Sequence, residues 1–249
     1  MYIVEKFLSL QGEGKFSGKL AFFIRFAGCN INCVGFNVSK KKNAEVLIGC
    51  DTLRAVYTEH FKNEYENVNV NTLVKMIKDI TKDKEIIIVI TGGEPTLWHK
   101  NKKFIELILE LEQMKLEVHF ESNASIYIDF DQYELYKNCI FAMGVKLSNS
   151  GVKQEQRINP KAIKAIVANS KDSFYKFVLD KEFIKSGQAE KEIKALLDIA
   201  KIQVYCMPMG QNNKELKINA KEVAKFCIEN GYNYSDRLHI RLWGSKEGV

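Results

Sequence analysis

Prolines are scarce in this chain, three among 249 residues, and no Pro/Ser-rich linker, internal repeat or low-complexity tract interrupts it. One domain over residues 1–249 is the expectation. Long apolar runs are missing too. Stretches such as IIIVI at 86–90 are strand-length and far short of a membrane span, so no membrane partner is expected. The opening MYIVEKFLSL carries Glu5 and Lys6 within its apolar part and shows no cleavage-site pattern, so a cytoplasmic location is expected. Six cysteines in that setting argue against a disulfide framework; reduced thiols serve there as buried hydrophobes, nucleophiles or metal ligands. A strong charge excess is also absent: the net +6 is spread along the chain and suits an anionic small substrate as well as a nucleic acid. With no aromatic–basic repeat, nucleic-acid binding is not expected. What is present, 46% hydrophobic and 27% charged residues, is the composition of a globular protein. A chain of this length buries roughly three quarters of its unfolded surface and folds without staples.

After position 70 the pattern alternates. Helical spacing over 70–81, 101–114, 160–169, 189–200 and 219–231 (closed by Gly231), with a further helix near 131–138, alternates with strands at 85–90, 116–120, near 140–147, 173–180 and 202–207. A last strand is expected at 237–243. Such alternation gives parallel strands joined by crossovers, hence an α/β fold, either a doubly wound sheet or a partial barrel. In both, ligands gather at the C-terminal ends of the strands.

Polar and turn residues stand at those ends. Thr91, Gly92, Gly93, Glu94 and Pro95 follow one strand, and paired glycines let backbone polar groups face a ligand, or simply make a turn. Glu121, Ser122 and Asn123 follow the next; Lys146 and Ser148, then Met207 to Gly210, follow two more. AFFIRFAG reads as a strand ending in a loop that carries Cys29 and Cys33, spaced C-x3-C. A sixteen-residue run with Lys40, Lys41 and Lys42 then separates Cys33 from Cys50. Zinc sites favour C-x2-C pairs and a fourth ligand, which is not nearby. Three thiolates without a fourth suit an iron–sulfur cluster with one open iron; three unrelated cysteines are the bland alternative. Cys139, Cys206 and Cys227 fall in strand or helix patterns and read as core.

C-x3-C after a first strand with GGEP after a later one resembles the radical S-adenosylmethionine superfamily. Phe36 stands where that superfamily usually has its third cysteine, and GCDT at 49–52 is similar to the end of the WCDT motif of one branch, displaced by the insertion 34–49. With S-x-QGEG, VKLS, MPMG and the closing RLHIRLWGSKEGV, the chain resembles the 7-carboxy-7-deazaguanine synthase family over most of its length. The resemblance implies a partial (β/α)6-type TIM barrel and a lyase. It would contract 6-carboxy-5,6,7,8-tetrahydropterin to 7-carboxy-7-deazaguanine plus ammonia, using a [4Fe–4S] cluster, S-adenosylmethionine and Mg²⁺ to generate an adenosyl radical that takes hydrogen from the pterin.

Carried over residue by residue, the resemblance makes Cys29, Cys33 and Cys50 the cluster ligands and Thr52 the magnesium ligand. S-adenosylmethionine would meet Gly49, Asp51, Gly92, Gly93, Glu94, Asn123, Lys146, Leu147, Ser148, Met207, Pro208, Met209 and Gly210. The pterin would meet Leu10, Gln11, Gly12, Glu13, Arg25, Thr91, His239 and the terminal Val249. Glu13 suits the paired N–H donors of a pterin edge, and Arg25 the substrate carboxylate. The insertion reads as a solvated hairpin, or as a basic patch steering an acidic electron donor such as a flavodoxin. Open sheet edges suggest a homodimer. A glycyl-radical-activating enzyme, and a non-catalytic iron–sulfur or zinc module, are the rival readings.

Overall fold

The computed structural model describes residues 1–82, 84–244, 246 and 248. Most of its longer helices start where a side chain satisfies an orphan backbone N–H. Asn69, Asn101, Asn159 and Asn212 cap the helices Val70–Thr81, Lys102–Gln113, Pro160–Asn169 and Asn213–Asn230 in this way. The helix Gln188–Ile199 begins after Gly187 instead. Gly231 ends the helix Asn213–Asn230 in the left-handed conformation, its N–H reaching Cys227 O.

The strands are β1 (Tyr2–Leu10), β2 (Leu20–Phe26), β3 (Val38–Lys42), β4 (Glu45–Gly49), β5 (Glu66–Asn67), β6 (Ile87–Gly92), β7 (Glu117–Ser122), β8 (Ile140–Met143), β9 (Asp172–Leu179), β10 (Val204–Pro208) and β11 (Asn233–Tyr234). Nine of them form one sheet in the order β11-β10-β9-β8-β7-β6-β2-β1-β5, while β3 and β4 pair as a separate hairpin. From β2 through β6, β7, β8, β9 and β10 to the short β11 every pairing is parallel; β1 joins β2, and β5 joins β1, antiparallel. Each parallel strand is added beside its predecessor, so the connecting helices collect on one face, and the architecture is a partial (β/α)6 barrel.

Alternation along the strands sorts side chains between two faces. Ile24, Ile90, Phe120, Phe141 and Phe177 point outward and pack with Leu73, Phe104, Leu107, Ile163 and Ile193 of the helices in the main core. Their neighbours point inward: Phe23, Ile87 and Val89 form one small cluster, Ile140, Ala142 and Phe174 another, and Phe16 packs against both. Among the described residues, no helix is long and apolar enough to cross a membrane.

Four expected elements differ, the first being the strand expected near 140–147, which ends at Met143. Residues 238–243 form a helix, Leu238–Trp243, and not a strand. Their alternation is only three apolar residues long, too short to separate the two periods. The helix near 131–138 is a single 3-10 turn, Glu134–Asn138. The helix expected from 219 starts six residues earlier, at Asn213, because Asn212 supplies the cap.

Candidate active site

The strand ends open into a cavity of ≈ 980 Å³, at the upper end of the size of small-molecule sites. One wall carries the three thiols. Cys29 and Cys33 sit in the loop after β2, and Cys50 comes from the turn that follows the β3–β4 hairpin; all three line the cavity and pack around Ile31 and Val152. The hairpin thus carries the chain out after Cys33 and returns it beside the same loop. Tyr57 Oη fixes the return, donating to Ile48 O (2.7 Å) and accepting from Asn32 Nδ2 (2.7 Å).

Burial pushes the Cys29 thiol up to about 12, with Glu94 and the other two cysteines adding to the effect. Burial likewise pushes Cys33 up to about 11, where the Lys146 ammonium pulls back and Cys50 and Asp51 push further. Two thiols that burial keeps from ionising, in one loop, are suited to a cationic cluster core that would neutralise their thiolates. No group of three or more His, Cys, Asp or Glu side chains among the described residues converges as a single-ion site would require. A four-iron cluster spreads its thiolates over separate irons, so the donor set fits the cluster and not a lone zinc. Close approach of Gly93 to this loop also fits: a Cβ there would stand 2.3 Å from Gly28 O and 2.7 Å from Cys29 Cβ. Cys50 Sγ lies 3.1 Å from Thr52 Oγ1. Thr52 begins the short helix Leu53–Val56, yet its side chain makes no capping bond there.

A second part of the lining is charged and paired in advance. Lys176, inward-facing on β9, donates to Glu13 Oε2 and to Glu121 Oε1, both at 2.9 Å. Gln11 Nε2 and Thr91 Oγ1 also donate to Glu121, at 3.3 and 3.1 Å. Arg237 donates from Nε to Glu13 Oε1 (2.8 Å), from Nη1 to Gly210 O (2.9 Å) and from Nη2 to Asp51 Oδ2 (2.6 Å). Arg25 is held through Nε by Glu5 (2.7 Å) and lines the cavity. Burial alone would raise Glu13, but Lys176, Arg237 and His239 hold it well below the usual carboxylate range. Glu121 is also lowered, Lys176 overcoming burial and the repulsion of Glu13. Asp51 is lowered by Arg237 and Arg25 against burial and Glu13. Burial lowers His239, with Glu13 opposing, so its ring is neutral at pH 7. That ring packs on the QGEG loop: a Cβ at Gly12 would lie 2.2 Å from His239 Nδ1.

The cavity therefore gathers Leu10, Gln11, Gly12, Glu13, Arg25, Cys29, Cys33, Cys50, Asp51, Thr52, Thr91, Gly92, Gly93, Asn123, Lys146, Leu147, Met209, Gly210 and His239, all anticipated from sequence. Five anticipated residues are not on its wall. Glu94 is fully buried and spends its carboxylate on the protein: Oε1 accepts from Thr96 N, Thr96 Oγ1 and Ser122 Oγ, and Oε2 from Asn123 N. Burial raises its pKa despite these bonds. Glu94 thus braces the end of β6 against the end of β7, and does not present an acceptor to a cofactor ammonium. Gly49 is packed against Leu53 and Asn32. Ser148 opens a 3-10 turn with its N–H bound to Glu192 Oε2 (2.9 Å). Met207 and Pro208 are buried in β10. Val249 lies outside the described residues, as do Asp83, Ser245 and Glu247. His239 is on a helix, not a strand. Lys176 and Arg237 escape the sequence reading. The signal for Lys176 was a lysine at an alternating position inside an apolar strand, which places it on the inner face.

Residues 10–167 match the family described as the 4Fe-4S single cluster domain. Along nearly its whole length the chain is similar to 7-carboxy-7-deazaguanine synthases. That of Halobacterium salinarum is 27% identical, covering 97% of this chain and 90% of the relative. That of Hyperthermus butylicus is 28% identical, covering 96% and 91%. Among solved structures, QueE from Escherichia coli superposes with a TM-score of 0.66 at 20% identity, covering 96% of this chain and 94% of that one, and so shares the fold. With three thiols on one wall of a barrel mouth and the match spanning most of the sequence, the chain belongs to the 4Fe-4S single cluster domain family, in its radical S-adenosylmethionine branch of 7-carboxy-7-deazaguanine synthases.

Proposed function

We propose that this chain is a radical S-adenosylmethionine lyase. It contracts 6-carboxy-5,6,7,8-tetrahydropterin to 7-carboxy-7-deazaguanine with release of ammonia, on the route to 7-deazapurine bases of the queuosine type. One observation carries this reading: a single cavity is lined both by three thiols and by ionised carboxylates with an arginine. When bound, the cluster and S-adenosylmethionine supply reductive bond cleavage and hydrogen abstraction. The chain's own residues do the rest. Glu13 and Glu121, kept ionised by Lys176, accept from the N–H edge of the pterin. Arg25 meets the substrate carboxylate, and Gln11, Thr91 and His239 complete the wall. Cys29, Cys33 and Cys50 hold the cluster. The backbone at Gly92 and Gly93, with Asp51, Asn123, Lys146, Leu147, Met209 and Gly210, would receive the cofactor.

Four further assignments belong to this reading. Mg²⁺ binds the Thr52 hydroxyl, which lines the cavity and is not spent on a helix cap, and it completes its shell with waters and the substrate carboxylate. An acidic electron donor such as a flavodoxin approaches the basic hairpin next to the thiols and, with it, the enzyme works in the cytoplasm. The homodimer does not use edge pairing, since both sheet edges, β5 and β11, are two-residue strands that template little; sedimentation at micromolar concentration tests it.

The deciding experiment is anaerobic reconstitution with iron and sulfide, then incubation with dithionite, Mg²⁺, S-adenosylmethionine and 6-carboxytetrahydropterin, read by mass spectrometry. Formation of 7-carboxy-7-deazaguanine is expected. Cofactor cleavage with an untouched pterin would leave the superfamily chemistry standing and remove the substrate.

A further inference from the structure

Arg237 has a place in the fold that the reaction does not by itself require. It is almost fully buried, and its guanidinium is spent in three directions on three segments far apart in sequence. Nε holds Glu13 of the loop after β1, Nη1 holds Gly210 after β10, and Nη2 holds Asp51, the residue after Cys50. Its own segment is fixed to the QGEG loop from both sides: Leu238 N donates to Gly12 O (2.9 Å), and Gly14 N donates to Ser235 Oγ (2.8 Å). Cys50 has the opposite circumstance. Sixteen residues separate it from Cys33, and β3 and β4 pair only with each other, so the main sheet does not fix its position. Lengthening a loop adds closure entropy only slowly, which explains why the excursion is tolerated. It leaves the placement of the returning thiol to local tethers. Tyr57 and Asn32 tether the hairpin side. After Cys50, Gly28 N donates to Ala55 O (2.7 Å) and ties the following helix to the Cys29 loop, and Asp51 on Arg237 is the side-chain tether next to the thiol itself.

We propose that Arg237 is a positioning residue that couples the third thiol of the cluster to the substrate wall. A planar fork that grips Asp51 and Glu13 at once transmits order between them, and a lysine could not span the same three acceptors. The two ends are then linked reciprocally: a pterin that fixes Glu13 steadies Cys50, and a seated cluster steadies Glu13. This inference rests on the assignment of Cys50 as the third ligand.

The test compares wild type with Arg237→Gln, Arg237→Lys, Lys176→Met and Cys50→Ala, each reconstituted anaerobically. Iron per chain is measured first, then the rate of iron extraction by a ferrous chelator, with and without saturating 6-carboxypterin as an unreactive ligand. In wild type the pterin slows extraction. In Arg237→Gln, bare extraction accelerates by about fivefold or more, the lower end of ordinary site–site coupling, and the pterin's protection is lost; Arg237→Lys recovers part of it. Lys176→Met, which loosens Glu13 but leaves Arg237 on Asp51, accelerates bare extraction less than Arg237→Gln does and needs more pterin for protection. Wild-type extraction and protection in Arg237→Gln would overturn the proposal. So would equal acceleration in Arg237→Gln and Lys176→Met, which would mean general loosening of the fold. Retention of a wild-type cluster by Cys50→Ala would instead bring down the ligand assignment, and Arg237's task with it.

Discussion

The two walls of the cavity are built by different means. On the substrate wall four of the key side chains project from strands, Arg25 from β2, Thr91 from β6, Glu121 from β7 and Lys176 from β9, each placed by strand register and already paired, and they hold Glu13 and, through it, Arg237, which come from loops. On the thiol wall the three cysteines come from loops, and the constraints are close backbone approaches, such as Gly93 against Gly28 and Cys29, with a hairpin between two of the ligands. A wall made of paired charges on strands fails electrostatically when a charge is removed. A wall made of loops fails geometrically when a loop shifts. The same cavity should therefore answer substitutions in two distinguishable ways.

The sharpest break lies on the thiol wall. Cys50→Ala should abolish turnover and lower bound iron. Cys139→Ala, in the helix-side core and remote from the cavity, should keep both while costing some stability through the lost contacts. Iron assay and ultraviolet–visible spectra after reconstitution check the pair. An active cluster in Cys50→Ala would remove the displaced-ligand reading.

The substrate wall should break next. Lys176→Met strips two partly buried carboxylates of their common partner. The loss typically costs about 3–5 kcal/mol where the pair is fully buried, and their exposure to the cavity, with Arg237 still pairing with Glu13, brings it below that range. The pH dependence has a definite sign. Glu13 and Glu121 are held below their ordinary value of 4.5, so their contribution is present above that pH and is lost as pH falls through their lowered values. Lys176 is raised above its ordinary 10.5, so its contribution is full below that pH and is lost only as the solution becomes strongly alkaline. The gap in Tm between wild type and Lys176→Met should be widest between about pH 5 and 10 and should narrow on acidification. A gap that is constant down to pH 3 would mean that the cost is packing and not charge.

The difference between the walls also decides what the sequence reveals. Helices and parallel strands are legible because their caps and alternation are local: Asn69, Asn101 and Asn159 each precede an apolar periodic run. The thiols and the GGEP turn are legible because residue type and spacing carry the chemistry. Lys176 is not, since alternation assigns it to a face without saying that the face lines a cavity holding two carboxylates. Arg237 is less so, because its partners are 224, 186 and 27 residues away in the chain. Glu94 shows the converse: the motif is plain, yet where its carboxylate points depends on Ser122 and Asn123 arriving from the next strand. The segment 238–243 misleads because apolar residues at 238, 240 and 242 imitate strand alternation, yet Ile240 is buried and Leu242 exposed, on opposite sides as a helix and not a strand places i and i+2.

A smaller effect tests the loop geometry. Gly93→Ala places a methyl group 2.3 Å from Gly28 O and 2.7 Å from Cys29 Cβ, so the thiol loop must move. Overpacking of this kind costs about 1–3 kcal/mol. Iron retention should fall along with Tm, whereas the Lys176→Met apoprotein, once folded, should load iron normally. If Gly93→Ala loses stability without losing iron, the close approach is a packing feature and the thiol wall is less exacting than its contacts suggest.

The smallest effect is expected at the hairpin lysines, and it separates steering from stability. Lys41 is exposed; Lys42 pairs with Glu64 and stands 5.1 Å from the centre of the Phe61 ring; Lys40 faces the cavity. Lys41→Ala alone should leave the unfolding free energy within about 0.5 kcal/mol of wild type, as surface changes usually do. Lys42→Ala should lose at most about 1 kcal/mol from its surface ion pair. If the hairpin steers an acidic donor, the triple alanine variant should slow cluster reduction by a flavodoxin at low salt, and the difference should vanish as salt screens it. Reduction by dithionite, a small reductant that needs no docking, should be unchanged in the same variant. Equal flavodoxin rates at low salt would end the docking reading and leave the hairpin as the connection between two ligands. In that case the burden of placing Cys50 falls on the tethers at its base, where Tyr57, Asn32 and the Asp51–Arg237 pair already hold it.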